Sequence, residues 1–467
     1  MFKKNSHEVC MTSGPVLPNL LAMTIPLALS SVFQFLFNAA DLVVVGNFAS
    51  EHSLAAVGST CALMNLNVSL FVGVSLGANA LIARYLGGGD DARVKDAIRT
   101  SYGLALLSGV LMTTAGLLLA RPALELMQSP AETLDLSTTY YQICSLGMIP
   151  MMFFNFGSAI LRAKGDTRRP LYYLIAAGVL NFALNFLFVK FLDMDVAGAA
   201  IATAISQGLS AYLIIRCLGR EEGVFKMRFR DMQLSWRTAL SILRIGVPAG
   251  FQGVVFSLSN IVIQSSINGF GPLVMASSAA AMNLEGIVWL TMSSFSQCAL
   301  TFMSQNIGAR RYSRLNRVAF VSCASCAVAG LVLGNLAYLF GPTLLGLFDS
   351  RPEVVESGMI RVFWVCCFYF LCGLMDTLCG VVRGLGHNVS PTIVALVGAC
   401  GFRLLWIFTI FQVERFHTES VLFFSYPASW ILTFVIHLGC YILFRRNYPQ
   451  GDGSRPQRLN GERANAM

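Results

Sequence analysis

The chain repeats itself. Six apolar segments of membrane length occur twice within 467 residues, about 221 positions apart. Leu161-Arg162-Ala163-Lys164-Gly165, followed by Pro170, returns as Val382-Arg383-Gly384-Leu385-Gly386, followed by Pro391. Gly87 returns as Gly308 and Ser129 as Ser350 at the same offset, and Ile25-Pro26 returns as Val247-Pro248 one residue further out. A long internal repeat constrains architecture before any local signal does. Six is even, so the second copy enters the membrane from the same side as the first. The halves are therefore parallel, related by a pseudo-two-fold axis along the membrane normal. Two equivalent bundles, with a site between or within them, follow a transporter's logic.

Composition forces the membrane reading. Hydrophobic residues make up 55% of the chain and charged residues 12%, about half the charged share of a soluble protein. Stretches of about 20 apolar residues match a hydrocarbon core about 30 Å thick. The pattern gives twelve spans, near 18–45, 54–82, 98–120, 133–160, 170–191 and 196–219, then 240–267, 273–303, 315–341, 355–381, 389–412 and 419–444. Backbone groups in lipid must be satisfied within their own segment, so these are helices. The short alternating segments of a transmembrane barrel are absent. The expected fold is an all-α membrane protein of twelve transmembrane helices in two parallel six-helix repeats.

The expected order is a polar arm at 1–16, a six-helix lobe at 17–219, a charged linker at 220–237, a second lobe at 238–444 and a disordered tail at 445–467. The formal charge of +9 does not point to nucleic acid. With the N-terminus inside, 27 of the 33 Lys and Arg fall on the cytoplasmic side. Arg121, Lys190, Arg351, Arg361 and Arg415 fall outside, and Arg403 falls within a span. That asymmetry places both termini in the cytoplasm of a multi-pass protein of the inner membrane. Lys3 and Lys4 precede a polar stretch, and the first apolar segment is too long for a signal core. Most of the 13 cysteines lie in spans, where free Cys acts as a small hydrophobe. No metal or redox motif emerges.

Charges inside a membrane cost on the order of 3 kcal/mol each, so those retained there are functional candidates. The segmentation leaves Asp41, Glu285, Asp376 and Arg403 inside spans. Gln34, Asn38 and Asp41 are spaced i, i+4, i+7 and share one helical face. Pro26, several turns earlier, removes a backbone hydrogen bond and is a candidate hinge. Asn181 and Asn185 share a face of span five, and Thr203 lies early in span six. With Asp41 they offer an oxygen-rich cage with one carboxylate, suited to a proton or a monovalent cation. A second reading stays open, in which Asp41 is solvated at the outer end of its span and the amides and hydroxyl simply bond between helices.

The second half carries a different set. Glu285, Asp376 and Arg403 are expected to meet in its interior, either as a net-negative cation site or as a structural ion pair. Candidates to line a substrate cavity are Gln34, Phe37 and Asn38 in span one, with Met152, Phe154 and Asn155 in span four. Aromatic faces attract organic cations, and methionines adapt to varied shapes. The Leu86-Gly87-Gly88-Gly89 run lacks the Lys-Ser/Thr of a nucleotide loop, and no catalytic cluster is visible. The chain is not read as an enzyme; no cofactor is expected, and energy must come from an H+ or Na+ gradient.

At this point the pattern resembles the multidrug and toxic compound extrusion (MATE) family, in its bacterial DinF-like branch. The residues that carry the resemblance are Ile25-Pro26 and Asp41, Arg84-Tyr85-Leu86-Gly87-Gly88-Gly89, and Leu161-Arg162-Ala163-Lys164-Gly165-Asp166 with its partner at Val382-Arg383-Gly384-Leu385-Gly386. Gly198-Ala199-Ala200-Ile201-Ala202-Thr203 and Gln305-Asn306-Ile307-Gly308-Ala309 complete the set, which covers roughly residues 15–444. The resemblance implies V-shaped lobes, alternating access, and export coupled to inward H+ or Na+. It also implies a first-lobe cation site, which maps onto Asp41, Asn181, Asn185 and Thr203. Position 185 departs from the family by carrying an amide where a second carboxylate is usual, and span seven lacks the Glu of another branch. The expected function is an antiporter of amphipathic, cationic organic compounds, acting as a monomer in the bilayer. The alternative is a flippase or exporter of a lipid-linked precursor or metabolite.

Overall fold

Apolar segments that must close their own hydrogen bonds become helices, and the computed structural model is built from them. It describes residues 8–48, 51–127, 130–349 and 351–453. Ser129 and Ser350, the ends of the expected arm and tail, and His7 all lie outside the described residues. The first half comprises α1 (Val16–Phe48), α2 (Glu51–Gly87), α3 (Asp91–Leu126), α4 (Ala131–Leu146), α5 (Met148–Lys164), α6 (Arg168–Asn185) and α7 (Asp195–Arg220). The second comprises α8 (Trp236–Asn268), α9 (Pro272–Gly308), α10 (Leu315–Leu339), a short α11 (Gly341–Gly346), α12 (Pro352–Cys366), α13 (Tyr369–Gly384), α14 (Val389–Ala395), α15 (Phe402–Phe408) and α16 (Glu419–Arg445). Eleven helical segments are long and apolar enough to cross a membrane, and α4 with α5, bent by 45° at Gly147, makes twelve. Large apolar side chains such as Leu118, Phe320 and Leu443 are exposed, as lipid-facing residues must be.

The repeat extends to backbone detail. Gly165 and Gly386, one offset apart, both take a left-handed conformation, with φ of 99° and 106°. Gly89 and Arg310 do likewise, with φ of 68° and 53°. Span five carries a π-helical turn in each half, but at different places. Phe186–Phe191 continues α6, whereas Leu396–Gly401 separates α14 from α15. Such insertions mark functional sites more often than chance.

Two compact units result. The first contains residues 1–9 and 29–250, and the second contains 10–28 and 251–467. The divide therefore falls inside α1 and α8 rather than in the linker at 220–237. The reason is visible in the first unit, where Gly73 and Gly77 of α2 meet Gly246 and Gly250 of α8 backbone to backbone. A Cβ at any of the four would come within 2.3–2.4 Å of the facing main chain. This pairing of small-xxx-small motifs lets helices touch closely in lipid. Pro26 and Pro248 each lie two residues before their helix changes unit.

The linker is not a loose tether. Phe225 and Met227 are buried in the first unit's core, beside Met152, Phe153 and Phe156. Glu221 accepts from Lys164 at 2.6 Å and from Arg169. Burial alone would raise its carboxyl pKa, but the two cations hold it below the ordinary value. The arm is anchored as well, since Lys164 also pairs with Glu8 at 2.6 Å and the Val9 N–H donates to the Gly165 carbonyl at 3.1 Å.

Candidate functional site

Helix α1 brings Gln34, Phe37, Asn38 and Asp41 to one face, as their spacing requires. That face meets α6 at Gly178, where a Cβ would stand 2.0 Å from the Phe37 ring. Only glycine lets the ring lie flat on the α6 backbone, and the contact fixes α1 one turn short of Asn181. The Asn181 amide then donates to both Asp41 carboxylate oxygens, at 2.6 and 2.7 Å. Asn185, one turn on, donates to Oδ1. Both amides are buried, at 6% and 0% exposure. Their own carbonyl oxygens, Asn181 Oδ1 and Asn185 Oδ1, are buried and accept no hydrogen bond among the described residues. Buried acceptors of this kind are rare and call for an explanation, such as an ion or water.

Beside this cluster lies a cavity of about 50 Å³, room for a few water molecules or a small ion. Its wall includes Gln34, Phe37, Asn38, Asp41, Asn181 and Thr203. The Thr203 hydroxyl donates to the Ala199 carbonyl at 3.0 Å, and its oxygen can still accept. Sequence reasoning missed Ser206, Gln207 and Ser210, which complete the polar wall. They recur at helical spacing from Thr203, so following that face along α7 would have found them.

Three cavity candidates fall elsewhere. Met152 is fully buried in the first core, and Phe154 packs against it. The Asn155 amide donates to the Met151 carbonyl one turn back, at 3.0 Å. Met152 is enclosed in the core, whereas Phe154 and Asn155 are half-buried on other sides of α5, and none of the three lines the cavity beside Asp41.

The second unit corrects the expected charged set. Glu285 pairs with Arg361, not Arg403, through two hydrogen bonds of 2.6 and 2.9 Å. Arg361 had been placed outside the membrane, but it lies three turns into α12 and is 3% exposed. Arg403 donates to Ser429 at 2.9 Å, with its guanidinium 4.2 Å from the Tyr426 ring centroid. It makes no ion pair among the described residues. The Asp376 main-chain carbonyl accepts from Ser296 at 2.8 Å. The three do not form one cluster, because Arg361 satisfies Glu285 and an aromatic face satisfies Arg403. Among the described residues there is no group of His, Cys, Asp and Glu that could hold a metal.

Comparison with known proteins agrees with this architecture. The family model described as MatE matches residues 26–187 and again 248–409, one match per repeat. The probable multidrug resistance protein YpnP of Bacillus subtilis is 27% identical over 387 residues, covering 83% of this chain and 86% of that protein. A protein of Shewanella oneidensis named as an FAD transporter is 23% identical over 445 residues, covering 93% and 96%. The solved structure of a MOP superfamily transporter from Pyrococcus furiosus superposes with a TM-score of 0.87 at 20% identity, over 95% of this chain and 99% of that one. Two copies of one helical module, matched over most of the sequence, make the chain a member of the MatE family of multi-pass membrane transporters rather than an enzyme.

Proposed function

We propose that the protein is a secondary active antiporter that exports amphipathic, cationic organic compounds in exchange for inward H+ or Na+. Both termini are cytoplasmic on this reading, and one chain is the working unit. The observation that carries it is the Asp41 carboxylate, held by two buried amides beside a small polar cavity. An unliganded carboxylate accepts from both amides. A proton on Asp41 removes its negative charge and weakens both bonds. A sodium ion would do the same and could recruit Asn181 Oδ1 and Asn185 Oδ1, which a half-turn of each amide presents in place of N–H. One carboxylate and neutral oxygens suit a monovalent ion.

Either event loosens α1 from α6. Pro26, where an intrahelical hydrogen bond is missing, is the point at which α1 bends. The cation drives transport only through its different affinity for the two arrangements of α1. The relatives named as multidrug exporters support the substrate class. A second reading, export of an anionic metabolite, is favoured by the relative named as an FAD transporter and by the buried, ring-stacked Arg403.

The test is transport by purified protein in vesicles, with the sodium and proton gradients collapsed separately. Organic-cation efflux that stops with one gradient supports antiport and names the ion. Efflux indifferent to both gradients, or confined to anionic flavin substrates, refutes it.

A further inference from the structure

A cluster of aromatic rings around one lysine lies at the other end of span five from Arg169. The π-turn after Asn185 brings Phe186, Lys190 and Phe191 together, and α1 ends there at Phe48. The Lys190 ammonium lies 4.7 Å from the Phe48 ring centroid, 4.6 Å from Phe186 and 5.9 Å from Phe191. The walls stand nearly square to one another. Phe48 meets Phe186 at 88° and Phe186 meets Phe191 at 76°, with centroids 5.7 and 5.6 Å apart. None of the ion pairs among the described residues involves Lys190. Among the described residues its charge rests on ring faces.

Three near-perpendicular rings around an ammonium recognise a compact, weakly hydrated cation. A lysine is a poor fit for such a box, because its three N–H groups are strongly hydrated and find no acceptor on carbon rings. A methylated ammonium has no such groups and fills the same space with CH surface. An interfacial lysine without a carboxylate partner, on the side where lysines are scarce, also asks for a local reason.

We propose that Phe48, Phe186 and Phe191 form an aromatic cage for quaternary and methylated ammonium groups, with Lys190 as a tethered occupant that a ligand must displace. The cage adjoins Asn185 through a single peptide link. On the antiport reading, on which this role alone rests, it is a release station, and the returning lysine expels the departing cation. The binding claim stands on the geometry without that reading.

The test is direct binding of tetramethylammonium to the purified full chain in lipid nanodiscs. Lys190→Met empties the box and is expected to tighten binding about fivefold or more. Phe186→Leu in that background keeps apolar volume, removes a ring face and is expected to weaken binding about tenfold. The neutral isostere 3,3-dimethylbutan-1-ol should not bind measurably. Unchanged affinity in Lys190→Met, equal affinity after Phe186→Leu, or equal binding of the neutral isostere would each overturn the cage and leave Lys190 as an interfacial anchor. Gradient-driven efflux is measured alongside on the cage variants and, separately, on Asp41→Asn protein, so loss of coupling at Asp41 leaves the binding result standing. Failure of the cage and failure of the coupling carboxylate are then read separately.

Discussion

The same slot in the two repeats holds opposite chemistry. In the first unit it contains Asp41, Asn181, Asn185 and Thr203 around a hollow. The positions at the repeat offset in the second are Ile263, Phe402, Trp406 and Phe424, with Arg403 next to Phe402. Ile263 is 1% exposed within the second core. The Trp406 ring lies 5.7 Å from Phe402 and 5.8 Å from Phe424, and its indole N–H is satisfied by the Val421 carbonyl at 3.1 Å. The first set is polar, lies beside a hollow and carries unsatisfied acceptors, whereas the second set is apolar. Duplication preserved the scaffold, down to the left-handed Gly165 and Gly386. The interiors diverged. The second unit closes Glu285 in a pair with Arg361 and rests Arg403 on the Tyr426 ring, and its Asp376 makes no ion pair among the described residues.

The largest effect should come from Asp41→Asn. Gradient-driven efflux is expected to fall at least tenfold while membrane expression stays intact, as measured by dye efflux at matched protein levels. Moving the carboxylate to the other slot should not rescue it. Ile263→Asp in that background buries an acid in the apolar second core and should cost several kcal/mol of stability. Recovery of efflux in the double variant would erase the distinction between the slots.

Next is the buried pair. Arg361→Met alone leaves Glu285 charged and unpartnered, and should destabilise the protein by about 3–5 kcal/mol. Glu285→Leu with Arg361→Met together should lie near wild type, because the pair contributes little net stability. Denaturation in mixed micelles checks both, and efflux by the double variant should keep its gradient dependence. Gly178→Leu follows. It forces the Phe37 ring off α6, with an expected cost of about 1–3 kcal/mol and a large loss of efflux, and Phe37→Ala should partly relieve both.

The smallest effect is expected at Glu221. Its pKa is lowered in the fold, so its stabilisation is fully present above the ordinary carboxylate value. That contribution is lost as pH falls through the depressed value. The stability gap between wild type and Glu221→Gln should be about 1 kcal/mol or less at neutral pH. It should close only as pH falls below the ordinary carboxylate range, as read by thermal unfolding at several pH values.

Much of this was legible in the sequence where one helical face was enough. Gln34, Asn38 and Asp41 announce their face by spacing, as do Asn181 with Asn185, and the offset of Pro26 and Pro248 announces the doubled scaffold. What was not legible depended on which helices touch. The count of charges on each side sets Arg361 outside, and only the packing of α12 on α9 buries it against Glu285. Met152 and Asn155 read as cavity residues on softness and polarity, which carry no direction; Met152 sits in the core and Asn155 is half-buried. The linker's charges masked Phe225 and Met227, two apolar anchors in a polar run. The change of unit within α1 and α8 could be read only from the close crossing of α2 with α8.

The most direct measurement is cation stoichiometry on purified protein without substrate, by proton uptake and sodium binding. The account predicts that wild type takes up one monovalent cation per chain at this site, that Asp41→Asn abolishes this uptake, and that the Glu285→Leu, Arg361→Met double variant leaves it unchanged. Full uptake by Asp41→Asn protein, or its loss in the double variant, would contradict the account.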